Sequence, residues 1–205
     1  MKKSRLLGAV FACAISYGFT ANASTVITFN GTAGENSSES VAGTTYMEAG
    51  YSLVFNNSGA FFIDNNFTSF PGLIDFDDDV LEFNETSASF VMTKDDGGLF
   101  DLFSVDTGSL GRDEFDDGNF VFTGIFGTGG TITQTVLGVA PGVTTNLFTG
   151  FVGLSSLVVT SNDGAFPVMD NITVDVSAVP VPAAVWLFGS GLLGLIGIAR
   201  RKKTA

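Results

Sequence analysis

Between residues 24 and 178 the chain alternates short apolar runs with clusters of Gly, Asn, Asp and Ser. In Ile172-Thr173-Val174-Asp175-Val176 every second side chain is apolar, so an extended strand would have one apolar and one polar face. Phe120, Phe122 and Gly124 share a face in the same way, with Val121 and Thr123 on the other. The pattern predicts strands at Val26–Phe29, Tyr51–Phe55, Ala60–Ile63, Ser89–Thr93, Leu99–Val105, Phe120–Phe126, Thr131–Val139, Leu157–Thr160 and Ile172–Val176. The breaks between them supply the residue types that turns require. No stretch of this region holds a 3.6-residue period with caps. Short strands with regular turn signals predict an all-β fold, a sandwich or barrel. The 21 Phe residues can fill the core of a sandwich, with some left for exposure.

Both ends depart from this pattern. Met1–Arg5 is basic, Leu6 to Phe19 is apolar, and Ala21-Asn22-Ala23 is a small-x-small sequence. Residues 1–23 therefore read as a secretory signal peptide, cleaved after Ala23 so that the mature chain starts at Ser24. At the other end Val179-Pro180-Val181-Pro182 precedes an uncharged run, residues 183–199, and then Arg200-Arg201-Lys202-Lys203. That run is near the lower length limit for a helix spanning a bilayer. Pro182 suits a first helical turn, and the basic cluster is expected to stay cytoplasmic. Gly191, Gly194 and Gly197 recur every three residues and give the helix a smooth face for close packing. The expected organisation is a signal peptide (1–23), a β-sandwich ectodomain (24–178) and a tail (179–205) with a single C-terminal transmembrane helix.

The tail resembles the PEP-CTERM sorting domain along Val179 to Lys203: a Pro-x-Pro, a short glycine-rich helix and a terminal Arg/Lys cluster. The family occurs in Gram-negative bacteria that make extracellular polysaccharide. The resemblance implies an exosortase as partner and cleavage near the prolines. The family's namesake Glu between the prolines is Val181 here. On this reading the protein is anchored in the inner membrane facing the periplasm before processing. It then passes to the cell envelope or the extracellular matrix.

Charge narrows what the middle can do. Of nine basic residues only Lys94 and Arg112 lie between the ends, against all 21 acidic ones, so this segment carries 2 − 21 = −19. Such a field repels phosphate backbones, and no nucleic-acid partner is expected. There is no His, which excludes Ser-His-Asp and Cys-His catalysis. The one Cys, Cys13, falls in the signal peptide, leaving the ectodomain without a disulfide.

The order Val26-Ile-Thr-Phe-Asn30, Glu48-Ala-Gly-Tyr51, Leu99-Phe-Asp-Leu-Phe-Ser104 and Met169-Asp-Asn-Ile-Thr-Val174 is similar to that of jelly-roll carbohydrate-binding modules. The resemblance implies a last strand paired with the first, often near a structural calcium, and extracellular polysaccharide as ligand. Clustered carboxylates are what calcium needs. Asp75, Asp77 and Asp79, followed by Glu82 and Glu85, are candidate ligands, as is Asp170 beside Asn171. An EF-hand is excluded, because Val80 stands where the loop needs Gly and Thr86 where it needs Glu. The competing reading is a solvated acidic loop. Asp113 to Asn119 reads as a second acidic turn in which Asp117-Gly118 fits a hairpin or bulge turn, and Asp95-Asp96-Gly97-Gly98 as a connecting turn. No carboxylate pair is singled out for acid-base work, so no enzyme activity is expected.

The first expectation is thus a non-catalytic structural or adhesive protein of the envelope or matrix. The alternative is a carbohydrate-binding module, with calcium as candidate ion. Exposed aromatics on a sheet face would favour the second, and a uniformly polar surface the first.

Overall fold

The computed structural model describes residues 24–67, 76–109, 117–139, 142–161 and 166–175. The signal peptide, the sorting tail with its transmembrane helix, and Asp75 all lie outside these residues. Among the described residues there is no helix, and thus none long and apolar enough to cross a membrane.

Among the described residues thirteen strands build two antiparallel sheets. They are β1 (Thr25–Ile27), β2 (Ser38–Ser40), β3 (Thr45–Glu48), β4 (Tyr51–Phe55), β5 (Ala60–Ile63), β6 (Val80–Phe83), β7 (Ser89–Lys94), β8 (Leu102–Ser109), β9 (Asp117–Phe126), β10 (Thr131–Val139), β11 (Thr144–Leu147), β12 (Leu154–Ser161) and β13 (Pro167–Val174). The seven-stranded sheet runs β11-β8-β13-β6-β5-β2, with β1 also paired to β13. The six-stranded sheet runs β10-β9-β12-β7-β4-β3. The all-β sandwich expected from the alternation is therefore the observed architecture.

The period-two pattern places the core. Phe120 and Phe122 point inward from β9, and Ile172 and Val174 from β13. Aromatic rings meet edge to face in a continuous run through the interior. Phe55 meets Phe90 at 5.6 Å, Phe90 meets Phe83 at 6.0 Å, and Phe83 meets Phe120 at 5.6 Å. The run continues through Phe122 to Phe148 at 4.8 Å and Phe151 at 5.1 Å. Such tilted contacts suit the ring quadrupole, and each adds on the order of 1 kcal/mol to the area buried. A smaller cluster of Ile63, Phe76, Val80 and Val168 packs beside β5, β6 and β13.

Four strands carry no signal that the alternation could have shown. β2 and β11 are polar and almost wholly exposed, and β3 is a half-exposed edge. β6 is buried at all four positions, so its pattern is not alternating. One turn reading and one strand start are corrected. Asp117 and Gly118 open β9, facing Val139 and Gly138, and do not form a hairpin. Asp170-Asn171 lies within β13, where the register with β8 shifts, and does not precede that strand. The Asp95–Gly98 segment is a turn, closed by Gly97 N–H donating to Lys94 O at 3.0 Å.

At one corner the sheets close with no side chain between them. Gly138 faces Gly118 in the β9–β10 ladder, and a Cβ on Gly138 would lie 2.1 Å from Gly108 O. A Cβ on Gly118 would in turn meet Pro167 at 2.6 Å.

Candidate functional site

The first strand and the last are neighbours: Thr25 faces Val174 and Ile27 faces Ile172. Directly after β1 the chain turns at Phe29, which has a left-handed φ of 57° and is fully buried. Its N–H and that of Thr28 both donate to the carboxylate of Glu48, at 3.2 and 3.1 Å. Thr28 Oγ1 and the Tyr46 hydroxyl add bonds of 3.2 and 2.8 Å to the same group. Burial, and next the bond to Glu48, hold the Tyr46 phenol well above its usual range. Tyr46, Phe29 and Phe62 form an aromatic triangle below, with centroids 5.0 to 5.7 Å apart.

Glu48 is held in place by a two-residue turn. Ala49 and Gly50, at φ of 52° and 86°, connect β3 to β4 and set Glu48 opposite Tyr51. In the sequence alone Glu48 falls within a segment of the resemblance and has no assigned role. The Glu-Ala-Gly-Tyr turn was the available signal.

Within the acidic run Phe76 and Asp79 are pinned, while Asp77 faces solvent. Phe76 is buried in the smaller cluster, and its carbonyl accepts from Asn65 Nδ2 at 2.8 Å. Asp77 is exposed, Asp78 is half-buried and Asp79 is buried. Asp79 Oδ2 accepts from Ala33 N–H at 2.8 Å and Thr32 Oγ1 at 3.4 Å. Burial raises the Asp79 pKa, opposed by the Ala33 bond. Glu82 is buried within β6.

Asp170 is the most unusual carboxylate. It is fully buried, Oδ1 accepts from Asn171 N–H at 2.7 Å, and Oδ2 has no hydrogen-bond partner. Its pKa is pushed up to about 8, chiefly by burial, with the charges of Asp106, Asp78 and Glu48 adding to the rise. Asn171, left-handed at φ 50°, sends Nδ2 to Asp106 Oδ2 at 3.1 Å. Thr145 Oγ1 donates to the other Asp106 oxygen at 2.6 Å.

These observations test the fit to calcium. A buried carboxylate oxygen without a partner, with negative groups around it, suits a hard cation. That fit is confined to Asp170. Asp77 is solvent-exposed, Asp79 is engaged by the Ala33 N–H and the Thr32 hydroxyl, and among the described residues no three acidic side chains converge as a metal set.

The other candidate surface is the outer face of the six-stranded sheet. One row across it reads Thr133, Thr123, Val158, Val91, Val54, Thr45. A neighbouring row reads Thr135, Val121, Thr160, Ser89. Neither row has a charged or an aromatic side chain. The large aromatics go instead to the core, and Phe103 is the one exposed among the described residues.

No family model matches the chain, and no curated protein matches it. Solved structures similar to it include the CBM22-1 and GH10 modules of Clostridium thermocellum endo-1,4-beta-D-xylanase 10B, complexed with xylohexaose. That similarity has 13% identity and a TM-score of 0.40, over 75% of this chain and 28% of that one. The CBM22-1 xylan-binding domain of Paenibacillus barcinonensis Xyn10C is similar at 13% identity and a TM-score of 0.37, over 78% of this chain and 100% of that one. The chain thus spans about a quarter of the length of the first. Likeness at this level says nothing of a ligand.

Proposed function

We propose that residues 24–178 are a non-catalytic binding module of an exported protein, and that polysaccharide of the envelope or extracellular matrix is its ligand. The observation that carries this reading is the β1–β13 pairing, with Glu48 bonded to the turn after β1 and Asp170-Asn171 within β13. Of this arrangement, the pairing of the last strand, with its Asp-Asn, to the first is what the resemblance to jelly-roll carbohydrate-binding modules implies. The strong negative charge of the segment favours a neutral glycan over an acidic one. Calcium is the ion proposed for Asp170. The ends keep their sequence reading: export by residues 1–23, and sorting by an exosortase through Val179–Pro182 and Arg200–Lys203.

A second reading, a purely structural matrix protein, is favoured by the hydroxyl-and-valine face of the six-stranded sheet, which has no aromatic platform for sugar rings. The two readings separate in a pull-down of the mature protein on insoluble neutral and acidic polysaccharides, in calcium and in chelator. Retention on a neutral glycan supports the module. Passage through every matrix leaves the structural reading.

A further inference from the structure

We infer that the outer edge of β10 is a docking edge for a second copy of this chain, joined strand to strand about a two-fold axis at Thr133. This inference does not rest on the polysaccharide reading.

β10 ends the six-stranded sheet, and among the described residues no strand pairs with its outer side. It is nine residues long, Thr-Ile-Thr-Gln-Thr-Val-Leu-Gly-Val, with no charge and no proline. The other ends of the two sheets are guarded in the ways proteins ordinarily guard an edge. β2 has three residues centred on Glu39, β3 has four ending in Glu48, and β11 has four. A long, uncharged, unpaired edge is a template for another strand.

The direction of the edge's backbone groups is fixed, and at Leu137 the carbonyl is already engaged by the other sheet. Leu137 O turns away from β9, since it accepts from Thr107 Oγ1 of the other sheet at 3.1 Å. Alternate residues of a strand point their N–H and C=O the same way, so Thr131, Thr133 and Thr135 also aim theirs outward. Their side chains lie on the exposed face of the sheet. Pairing antiparallel about Thr133 sets Thr133 against its counterpart and Thr131 against the second copy's Thr135. Threonine pairs of this kind stabilise cross-strand contacts.

Charge selects the occupant. With 2 − 21 = −19 on the central segment, two copies repel over most of their surface. They approach most easily where neither bears charge, and β10 with its adjoining face is such a place. A basic partner would find no carboxylate on this strand to pair with. The same strand in a second copy matches it in polarity, length and hydrogen-bonding pattern.

The test uses the full-length protein in mild detergent, in a Cys13→Ser background, so that Thr133→Cys supplies its one thiol. Directly opposed residues in such a ladder are close enough for a disulfide. Oxidation is expected to cross-link Thr133→Cys at least about tenfold faster than Thr45→Cys on the opposite edge. Thr133→Lys, which sets two like charges on the axis, is expected to weaken the dimer about tenfold by sedimentation while circular dichroism stays unchanged. Equal cross-linking rates would overturn the inference. So would a monomer at every concentration, a dimer that Thr133→Lys leaves intact, or a different chain occupying the edge.

Discussion

The hydroxyl of Tyr51 donates to Asp175 Oδ2 at 2.7 Å, joining β4 of one sheet to the residue that follows the last strand of the other. Lys94 Nζ, from β7, reaches the same oxygen at 2.7 Å. Asp175 Oδ1 accepts from Asp101 N–H at 3.0 Å, and its own N–H donates to Asp101 O at 2.9 Å. One carboxylate at a left-handed position thus ties together three segments.

Replacing Asp175 with Ala is expected to cost about 1–2 kcal/mol, since charged hydrogen bonds are lost at a partly exposed site. Burial alone would raise the Asp175 pKa, but the bonds from Lys94, Tyr51 and Asp101 outweigh it and hold the group below 3.8. Its contribution is therefore complete above pH 3.8 and lost as pH falls through the lowered value. The bond to Asp175 raises Lys94 above 10.5, so its contribution is present below that pH and lost as pH climbs through the raised value. Urea midpoints of the wild type and Asp175→Ala should converge in strong acid and stay apart at neutral pH.

Asp170 should behave in the opposite sense. With its pKa raised from 3.8 to about 8, the folded state holds a proton that the unfolded state has released. In chelator, this residue's contribution to stability is expected to fall as pH rises between those values. Asp170→Asn should then raise the melting temperature at pH 8 and change it little at pH 4. Added calcium should raise the wild-type melting temperature at pH 8 and leave Asp170→Asn unmoved; no shift in either would remove the ion from this site.

Gly138→Ala is expected to destabilise the domain by about 1–3 kcal/mol, because the new methyl must displace backbone rather than a mobile side chain. A denaturant melt checks this, and Gly50→Ala, which has open space around it but a φ of 86°, separates crowding from backbone strain.

Ala49→Asn should stabilise the β3–β4 hairpin by about 1 kcal/mol, since Asn tolerates a left-handed φ that Ala resists. The gain is read as a higher urea midpoint with the slope unchanged.

Tyr51–Phe55 and Thr131–Val139 were legible from alternation, and Ala60–Ile63 as a short apolar run between turn residues. The sandwich followed from their number and spacing. β2, β3, β6 and β11 were not legible, because exposed edges and a wholly buried strand have no period-two contrast. At the candidate site, Asp170 was legible as chemistry but not as geometry. Whether a carboxylate finds an N–H, as Asp79 does with Ala33, depends on segments 46 positions apart. The row of Thr and Val side chains across the six-stranded sheet is likewise a product of register, which no local pattern states.

The pairing of Thr25 with Val174 brings the chain into the sandwich and out of it at neighbouring points. Tension applied through both ends would open β1 from β13 like a zipper, one pair at a time, instead of shearing the ladder as a whole. Once β1 has parted, the next elements to yield would be Thr28 and Phe29, and with them the grip on Glu48. The same proximity lets a short linker close the ends into a ring, and new termini cut into the Asp95–Gly98 turn would leave every ladder intact.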